Sequence, residues 1–363
     1  MTDKLAAIRE VTDVFSNRCK EKYIPSEQVT VDEMLSAYHG KCPFRVYIPS
    51  KPAKYGIKIW IIADVPTGYC TYFQVYTGKI NNVPEKGQGV RVVKDLCTHL
   101  YGSGRNVTTD NFFTDVTLAQ HLLDNSLTLV GTLRKSKGCI PREMLPNAKR
   151  ELLSSVFGFS GKMTIVSYVP KKNKAVTLLS TAHHDNVISS ECHKKPEVIL
   201  TYNSTKGAVD TLDKMCRQYT VKRSTRRWPL TLFFTLLDIA AHNASVIWFH
   251  QHPEWVDSAN TNQKDRRRAF ILEMGKSMCL PWIDSRRSTP CVSGRKSIKR
   301  ALEYVNLPVP TTTQNDTVIT PQRGRCHMCD RKNDTKTKHR CSTCGQFVCG
   351  NHSTQSFTCT ECS

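Results

Sequence analysis

Near the start of the chain, apolar positions recur at three- and four-residue steps: Leu5, Ile8, Val11, Phe15 and Cys19. That spacing predicts an amphipathic helix over Lys4 to Lys22, with Pro25 marking its end. The period then changes. Tyr55, Ile57, Ile59, Ile61 and Ala63 alternate with other residues, the signature of a strand. Trp60 and Ile62 fill the alternate positions, so this strand is expected to be covered on both faces. Pro66–Thr67–Gly68 reads as a turn. Tyr69 to Tyr76 reads as a second strand that ends at Thr77–Gly78. Further along, Val90 to Leu100 looks helical, Val107 to Thr109 is a short strand, Leu118 to Leu123 a helix and Ser126 to Leu133 a strand.

From Lys135 to Pro196 the character shifts. Basic and turn residues lead into two alternating runs, Lys162–Val169 and Ala175–Ser180, joined by a hairpin at Lys171–Lys174. The stretch reads as an inserted β-rich module. Val198 to Tyr202 is strand-like, and Val209 to Tyr219 returns to a helical pattern. A helical block then runs to about Cys279. Within it, Leu230 to Trp248 is strongly apolar but is interrupted by Thr231, Thr235, Asp238, His242 and Asn243. A bilayer would penalise those groups, so a buried helix is expected and no membrane partner. Val309 to Pro321 has little to bury and reads as a flexible linker.

Composition sharpens this picture. The chain has 363 residues, enough for about two or three domains. Lys and Arg number 52 against 31 Asp and Glu, a formal net charge of +21, which implies a polyanionic partner. The segment from Arg217 to Arg227 carries Arg217, Lys222, Arg223, Arg226 and Arg227 with no acid among them. Nine of the 16 cysteines are scattered singly, which suits a reducing compartment. The first residues contain Asp3, Glu10 and Asp13 and no apolar block, unlike a secretory or mitochondrial leader. An intracellular protein is expected, with the charge favouring the nucleus.

The other seven cysteines fall between Cys326 and Cys362. With His352 they form four pairs, each separated by two residues: Cys326/Cys329, Cys341/Cys344, Cys349/His352 and Cys359/Cys362. A two-residue gap lets both side chains of a pair reach one metal, and two tetrahedral zinc ions need eight ligands. The short gaps suggest a cross-brace, with Cys326, Cys329, Cys349 and His352 on one Zn²⁺ and Cys341, Cys344, Cys359 and Cys362 on the other. A sequential arrangement would keep the ligands and change the partners, and a disulfide knot is the metal-free alternative. His327 and His339 are spare candidates expected to face solvent. Basic neighbours such as Arg323, Arg325, Arg331 and Lys332 favour nucleic acid over a ubiquitin-ligase role.

In so basic a chain a few acids stand out. Asp64 ends the predicted strand YGIKIWIIAD, Asp110 follows the short strand NVTTD, and Asp210 and Asp213 share one helix face in KGAVDTLDKM. Carboxylates converging from two strand ends and a helix can hold two Mg²⁺ ions for phosphoryl transfer. Spacing alone leaves open whether they converge, and a cap or surface charge is the bland reading of each.

The segments YIPSEQVTVDEM, GKCPFRVYIPSKPAKYGIKIW, IADVPTGYCTYFQVYTGK, GRNVTTDNFFTDVTLAQHLL and YNSTKGAVDTLDKMCRQYTVKRSTRRWP resemble the piggyBac transposase family, in that order, and the Cys/His tail resembles its C-terminal cysteine-rich domain. The resemblance implies an α/β architecture: an RNase H-like catalytic core with a β-rich insertion, a flanking helical domain and a small C-terminal cross-brace zinc finger. On that template residues 1–54 are part of a helical dimerisation and DNA-binding domain. Residues 55–134 and 198–222 are the two parts of the core, and 135–197 the insertion. Residues 223–300 are the second half of the helical domain, 301–322 a linker and 323–363 the zinc domain. The resemblance further implies Asp64, Asp110 and Asp210 as a catalytic triad holding Mg²⁺, with Asp213 as an additional acid. It also implies DNA cleavage and joining at TTAA sites. Lys222, Arg223, Arg226 and Arg227 would grip DNA phosphates, and Trp228 would stack on a base or anchor the core. The partners implied are DNA and a second copy of the chain. Family members carry a substantial stretch before the block that begins here at Lys4, so a truncated transposase is expected, with a non-catalytic DNA-binding derivative as the alternative.

Overall fold

The computed structural model describes residues 3–79, 83, 85–147, 150–190, 193–255, 266–286, 296–308, 323–333 and 335–354. The chain divides into two compact units, Met1–Gly275 and Lys276–Ser363.

The first unit is organised around a strand that the sequence pattern does not announce. β1 (Gln28–Ala37, QVTVDEMLSA) has two acids in its middle, which break the apolar alternation. Successive side chains still point to opposite faces. Val29 and Val31 enter one core layer and Met34 the other. On Met34's side, Thr30 donates to the Thr205 carbonyl at 2.6 Å and Ser36 shares a hydrogen bond with Thr235 at 2.7 Å.

β3 (Tyr55–Asp64) runs antiparallel to β1, and β5 (Asn106–Thr109) and β6 (Thr128–Thr132) follow parallel on β1's other side. The outer edge of β3 pairs with the short β2 (Val46–Tyr47) and with β4 (Cys70–Val75). Three antiparallel strands followed by two parallel ones give the RNase H-like core that the resemblance implies. β3 is covered on both faces as its composition predicts. Ile57, Ile59, Ile61 and Ala63 belong to one layer, Trp60 and Ile62 to the other. The core sheet begins at Gln28, however, so the expected domain boundary at residue 55 falls inside it.

Helices cover both faces. α2 (Gln88–Cys97) and α3 (Val116–Asp124) pack Val92, Leu96, Leu118 and Leu122 against Val29, Val31 and Val107. On the other face lie α1 (Arg9–Glu21), α5 (Ala208–Gln218) and α6 (Trp228–Gln251), with Val209, Leu212, Leu232, Leu236 and Ile239 buried. α6 is long and apolar enough to cross a bilayer, yet half of its apolar window is buried. Its inward polar residues have partners. The Asn243 amide accepts from Cys70 N–H and donates to Cys70 C=O, both at 2.9 Å, and so completes the edge of β4.

The predicted insertion forms a meander, β7 (Ser155–Ser160), β8 (Met163–Lys171) and β9 (Lys174–Ser180). β9 pairs antiparallel with β6, Leu178 opposite Thr132 and Ser180 opposite Val130. The insertion thereby continues the core sheet. The expected strand at Val198–Tyr202 is instead α4 (Glu197–Thr205). Val198, Ile199 and Tyr202 are spaced to share a helix face, and they pack on Val130, Val166 and Leu178.

Two further helices are α7 (Arg266–Arg286) and α8 (Lys296–Tyr304). In the second unit, β10 (Gly324–Arg325) and β11 (Lys336–Thr337) form a small hairpin. Phe347 lies so close to Gly324 that a Cβ there would sit 1.9 Å from its ring. Most of the expected linker, residues 309–322, lies outside the described residues.

Candidate functional site

Strand pairing brings two acids together. Val31 of β1 and Thr109 of β5 are neighbours in the parallel pair, and Asp32 and Asp110 are the next residues on each. Adjacent strands lie about 4.8 Å apart, so the two carboxylates start from neighbouring backbone positions where β5 ends beside the middle of β1. The turn after β5 is tightly fixed. Phe113 and Thr114 N–H both donate to the Asp110 carbonyl, and Phe112 N–H donates to its Oδ1 at 2.8 Å. The Thr109 and Thr114 hydroxyls pair at 2.7 Å over Gly131, where a Cβ would lie 2.2 Å from Thr114 Oγ1.

α5 supplies the opposite wall. Ala208, Val209, Leu212 and Cys216 turn into the core, which leaves Asp210 and Asp213 on the groove side. Arg267 donates to the Met215 carbonyl at 2.7 Å and pins the helix near its end. Asp213 is held by Arg217 through two contacts of 3.1 and 2.6 Å. Among the described residues, Asp32, Asp110 and Asp210 make no ion pair.

Asp32, Glu33, Asp110, Asp210 and Asp213 therefore line one groove of about 1180 Å³, closed on a further side by Ser50, Lys51 and Pro52. Burial pushes the Asp32 carboxyl up to about 7, and the charges of Glu33 and Asp110 push the same way against Lys51. Burial also raises Glu33 and Asp213, with Lys51 opposing at both and Arg217 at Asp213. Negative charge is concentrated where water is partly excluded, a setting that favours a bound cation.

Three of the four expected acids, Asp110, Asp210 and Asp213, lie in this groove; Asp64 does not. In the antiparallel pair Asp64 faces Val29 while Asp32 faces Ile61, so the two are three positions apart, about 10 Å along the strands. Asp64 is fully buried, and both of its oxygens are occupied. Oδ1 accepts from Ser26 N–H at 2.8 Å and Ser26 Oγ at 2.6 Å; Oδ2 accepts from Tyr23 at 2.9 Å and Thr67 at 2.6 Å. It ties the α1–β1 connection to the turn after β3. Asp32 and Glu33 are the groove acids that sequence reasoning missed. The available signal was an acid pair within VTVDEM, next to the apolar Val29 and Val31.

The basic segment after α5 is exposed at Arg223, Arg226 and Arg227. Buried Asp238 of α6 holds its start, accepting from Thr220 Oγ1 at 2.7 Å and Val221 N–H at 2.9 Å. Lys222 turns inward to Ser36 Oγ at 3.3 Å, and burial lowers its pKa. Arg223 and Arg226 line a separate cavity of about 460 Å³ with His39 and Gly40. Trp228 sets its ring edge-on to Phe44 at 4.9 Å and packs on the core, which is the anchoring alternative.

In the second unit, Cys326, Cys329, Cys349 and His352 offer ligand atoms within 4.8 Å of one another, the one group of three or more gathered so tightly among the described residues. The first and third pairs thus come together. At Cys326 burial works to raise the thiol pKa, but the backbone N–H groups of Cys349 and Met328 and the His352 side chain bring it down to about 6. Cys341 is brought down to about 7, chiefly by the N–H groups of Cys344 and Thr343. Thiolate character is what a metal ligand requires. Cys359 and Cys362 lie outside the described residues. Each cysteine among the described residues is a free thiol.

This chain is similar in sequence and fold to known proteins. A family model described as Transposase IS4 matches residues 1–245. The human PiggyBac transposable element-derived protein 3 is 28% identical over 257 residues, 65% of this chain and 43% of that protein. The human Chimeric ERCC6-PGBD3 protein is also 28% identical over 257 residues, which cover 24% of its length. The match therefore spans less than half of these curated relatives. Among solved structures, the cryo-EM structure of the piggyBac transposase synaptic complex with hairpin DNA superposes with a TM-score of 0.75 at 35% identity, over 99% of this chain and 74% of that one.

Proposed function

The chain belongs to the piggyBac transposase family, and we propose that its carboxylate groove is the centre of a metal-dependent DNA strand cleavage and transfer reaction. The observation that carries this reading is the meeting of Asp32, Asp110 and Asp210, three acids that make no ion pair among the described residues, in one groove. In this reading Asp32 takes the role that the sequence suggested for Asp64. Bound divalent cations, Mg²⁺ by this chemistry, would activate a water or 3′-hydroxyl and stabilise the departing oxygen. The three acids would hold them. Asp213, clamped by Arg217, would keep α5 and Asp210 oriented. Arg223, Arg226 and Arg227 would grip phosphates outside the groove. The solved relative is a transposase complex with hairpin DNA, which supports DNA as the partner. TTAA targeting and pairing with a second copy are part of this proposal, on the family resemblance alone.

The quartet Cys326, Cys329, Cys349 and His352 fits Zn²⁺. Four of its six Sγ–Sγ and Sγ–Nδ1 separations run from 3.3 to 3.7 Å, and all lie within 4.8 Å. A tetrahedron with arms of about 2.1–2.3 Å has edges of roughly 3.5–3.8 Å. Cys341 and Cys344 would take a second ion with Cys359 and Cys362.

A hairpin-opening and strand-transfer assay tests the main reading. Activity should require Mg²⁺ and vanish in Asp110→Ala; no activity, or activity that survives the substitution, would sink it. The second reading, a non-catalytic DNA-binding protein, is favoured by the curated relatives, one of which is named as transposable element-derived. DNA binding without cleavage is its signature.

A further inference from the structure

Lys51 occupies an unusual position for a cation. It sits in the turn between β2 and β3, flanked by Pro49 and Pro52, and its backbone is fixed at both ends. Lys51 N–H donates to the Ile48 carbonyl at 3.2 Å, and the Lys51 carbonyl accepts from Lys54 N–H at 3.0 Å. The two prolines further restrict the turn. Its ammonium crosses to β1 and donates to the Glu33 carbonyl at 3.1 Å, beside the groove acids. It acts electrostatically on Asp32 and Glu33 on one wall and on Asp213 on the other. Two other cations line the groove, Lys214 and Arg217. Arg217 is committed to Asp213, and Lys214 is exposed on α5. Lys51 meets no carboxylate at ion-pair distance among the described residues.

A lysine is a compact charge on a flexible stem, able to exchange one anionic partner for another. Near a cluster of carboxylates it offsets their repulsion, and the same charge opposes an incoming divalent cation. A phosphodiester drawn into the groove would need a cation on the side away from α5, and Lys51 is there.

We propose that Lys51 is a positioning residue with two opposed effects: it competes with divalent metal for the carboxylate groove, and it holds the phosphate of the DNA strand that enters. This rests on the groove being the DNA-processing centre. The two effects separate it from a merely structural residue, whose loss would weaken both kinds of binding.

The test uses the full chain and two probes, Mn²⁺ alone and a labelled DNA hairpin in EDTA. In Lys51→Ala, Mn²⁺ binding that depends on Asp32 should tighten by about three- to tenfold. Hairpin affinity should fall by a similar factor, and the salt slope should shrink by about one. Lys51→Arg should restore DNA affinity. Lys162→Ala, which removes an exposed charge at the β7–β8 turn, should not tighten Mn²⁺ binding. If Lys51→Ala weakens both probes, or leaves both unchanged, the inference is overturned. If wild type binds no Mn²⁺ that Asp32→Asn removes, the groove reading itself fails and takes the inference with it.

Discussion

Asp32 and Asp110 directly follow Val31 and Thr109, which pair across the parallel strands β1 and β5. The closeness of the two acids is thus set by backbone register, together with the fixed turn after β5 that carries Asp110. A site built this way tolerates little error, because a one-residue slip would turn Asp32 to the other face of the sheet.

Asp64 should behave as a structural residue. Asp64→Ala removes the acceptor of four hydrogen bonds and leaves half-buried donors at Ser26 and Thr67 without it. A loss of about 2–4 kcal/mol is expected, read as a lower urea midpoint with an unchanged slope.

Gly131 should matter through Asp110. A Cβ at this position collides with the Thr114 and Thr109 hydroxyls that fix the turn after β5. Gly131→Ala should cost about 1–3 kcal/mol and weaken Asp110-dependent Mn²⁺ binding, measured by titration.

Acid should loosen the first unit through His242. The ring is buried on α6, with Nε2 near the Thr67 carbonyl at 3.2 Å, and burial lowers its pKa to about 4. Between pH 6.5 and 4 the unfolded chain binds this proton and the native chain does not. Its contribution to stability is present above pH 6.5 and is lost as pH falls towards 4. Urea midpoints at pH 7.5, 6 and 4.5 should drop more for wild type than for His242→Gln.

Asp32 has the opposite sign. Its carboxyl is raised to about 7 from 3.8, so between those values the native chain holds a proton that the unfolded chain has released. Its contribution declines as pH rises through that window. In EDTA at pH 8, Asp32→Asn should therefore have a higher urea midpoint than wild type, the mark of a residue kept for chemistry.

The cysteine tail should need metal. The full chain should carry two zinc ions by elemental analysis, and Cys349→Ser should carry fewer. Backbone amides of residues 335–354 should exchange faster in that variant, because so small a unit depends on its ligands.

Much of this was legible in the sequence, for reasons that can be named. β3 could be read from Ile57, Ile59 and Ile61 because burial on both faces left a near-continuous apolar run. The Cys/His pairs could be read because metal geometry constrains spacing locally. β1 could not be read, because Asp32 and Glu33 interrupt its pattern and its place depends on pairing with strands far along the chain. Asp64 misled for a related reason. It closes β3 much as Asp110 follows β5, but β3 runs antiparallel to β1, so its carboxyl end lies beside the start of β1. Strand direction is a tertiary property that periodicity does not encode. At Val198–Tyr202 the apolar spacing suits a strand and a helix equally, and packing on Val130, Val166 and Leu178 decided for the helix.

The central claim is that Asp32, and not Asp64, completes the reaction centre with Asp110 and Asp210. The most direct measurement is Mg²⁺-dependent hairpin opening by purified wild type, Asp32→Asn and Asp64→Asn, each normalised to its folded fraction. Asp32→Asn should lose activity by at least about a hundredfold while staying folded, and Asp64→Asn should keep activity within about tenfold per folded molecule. Wild-type activity in Asp32→Asn, or its complete loss in folded Asp64→Asn, would contradict the account.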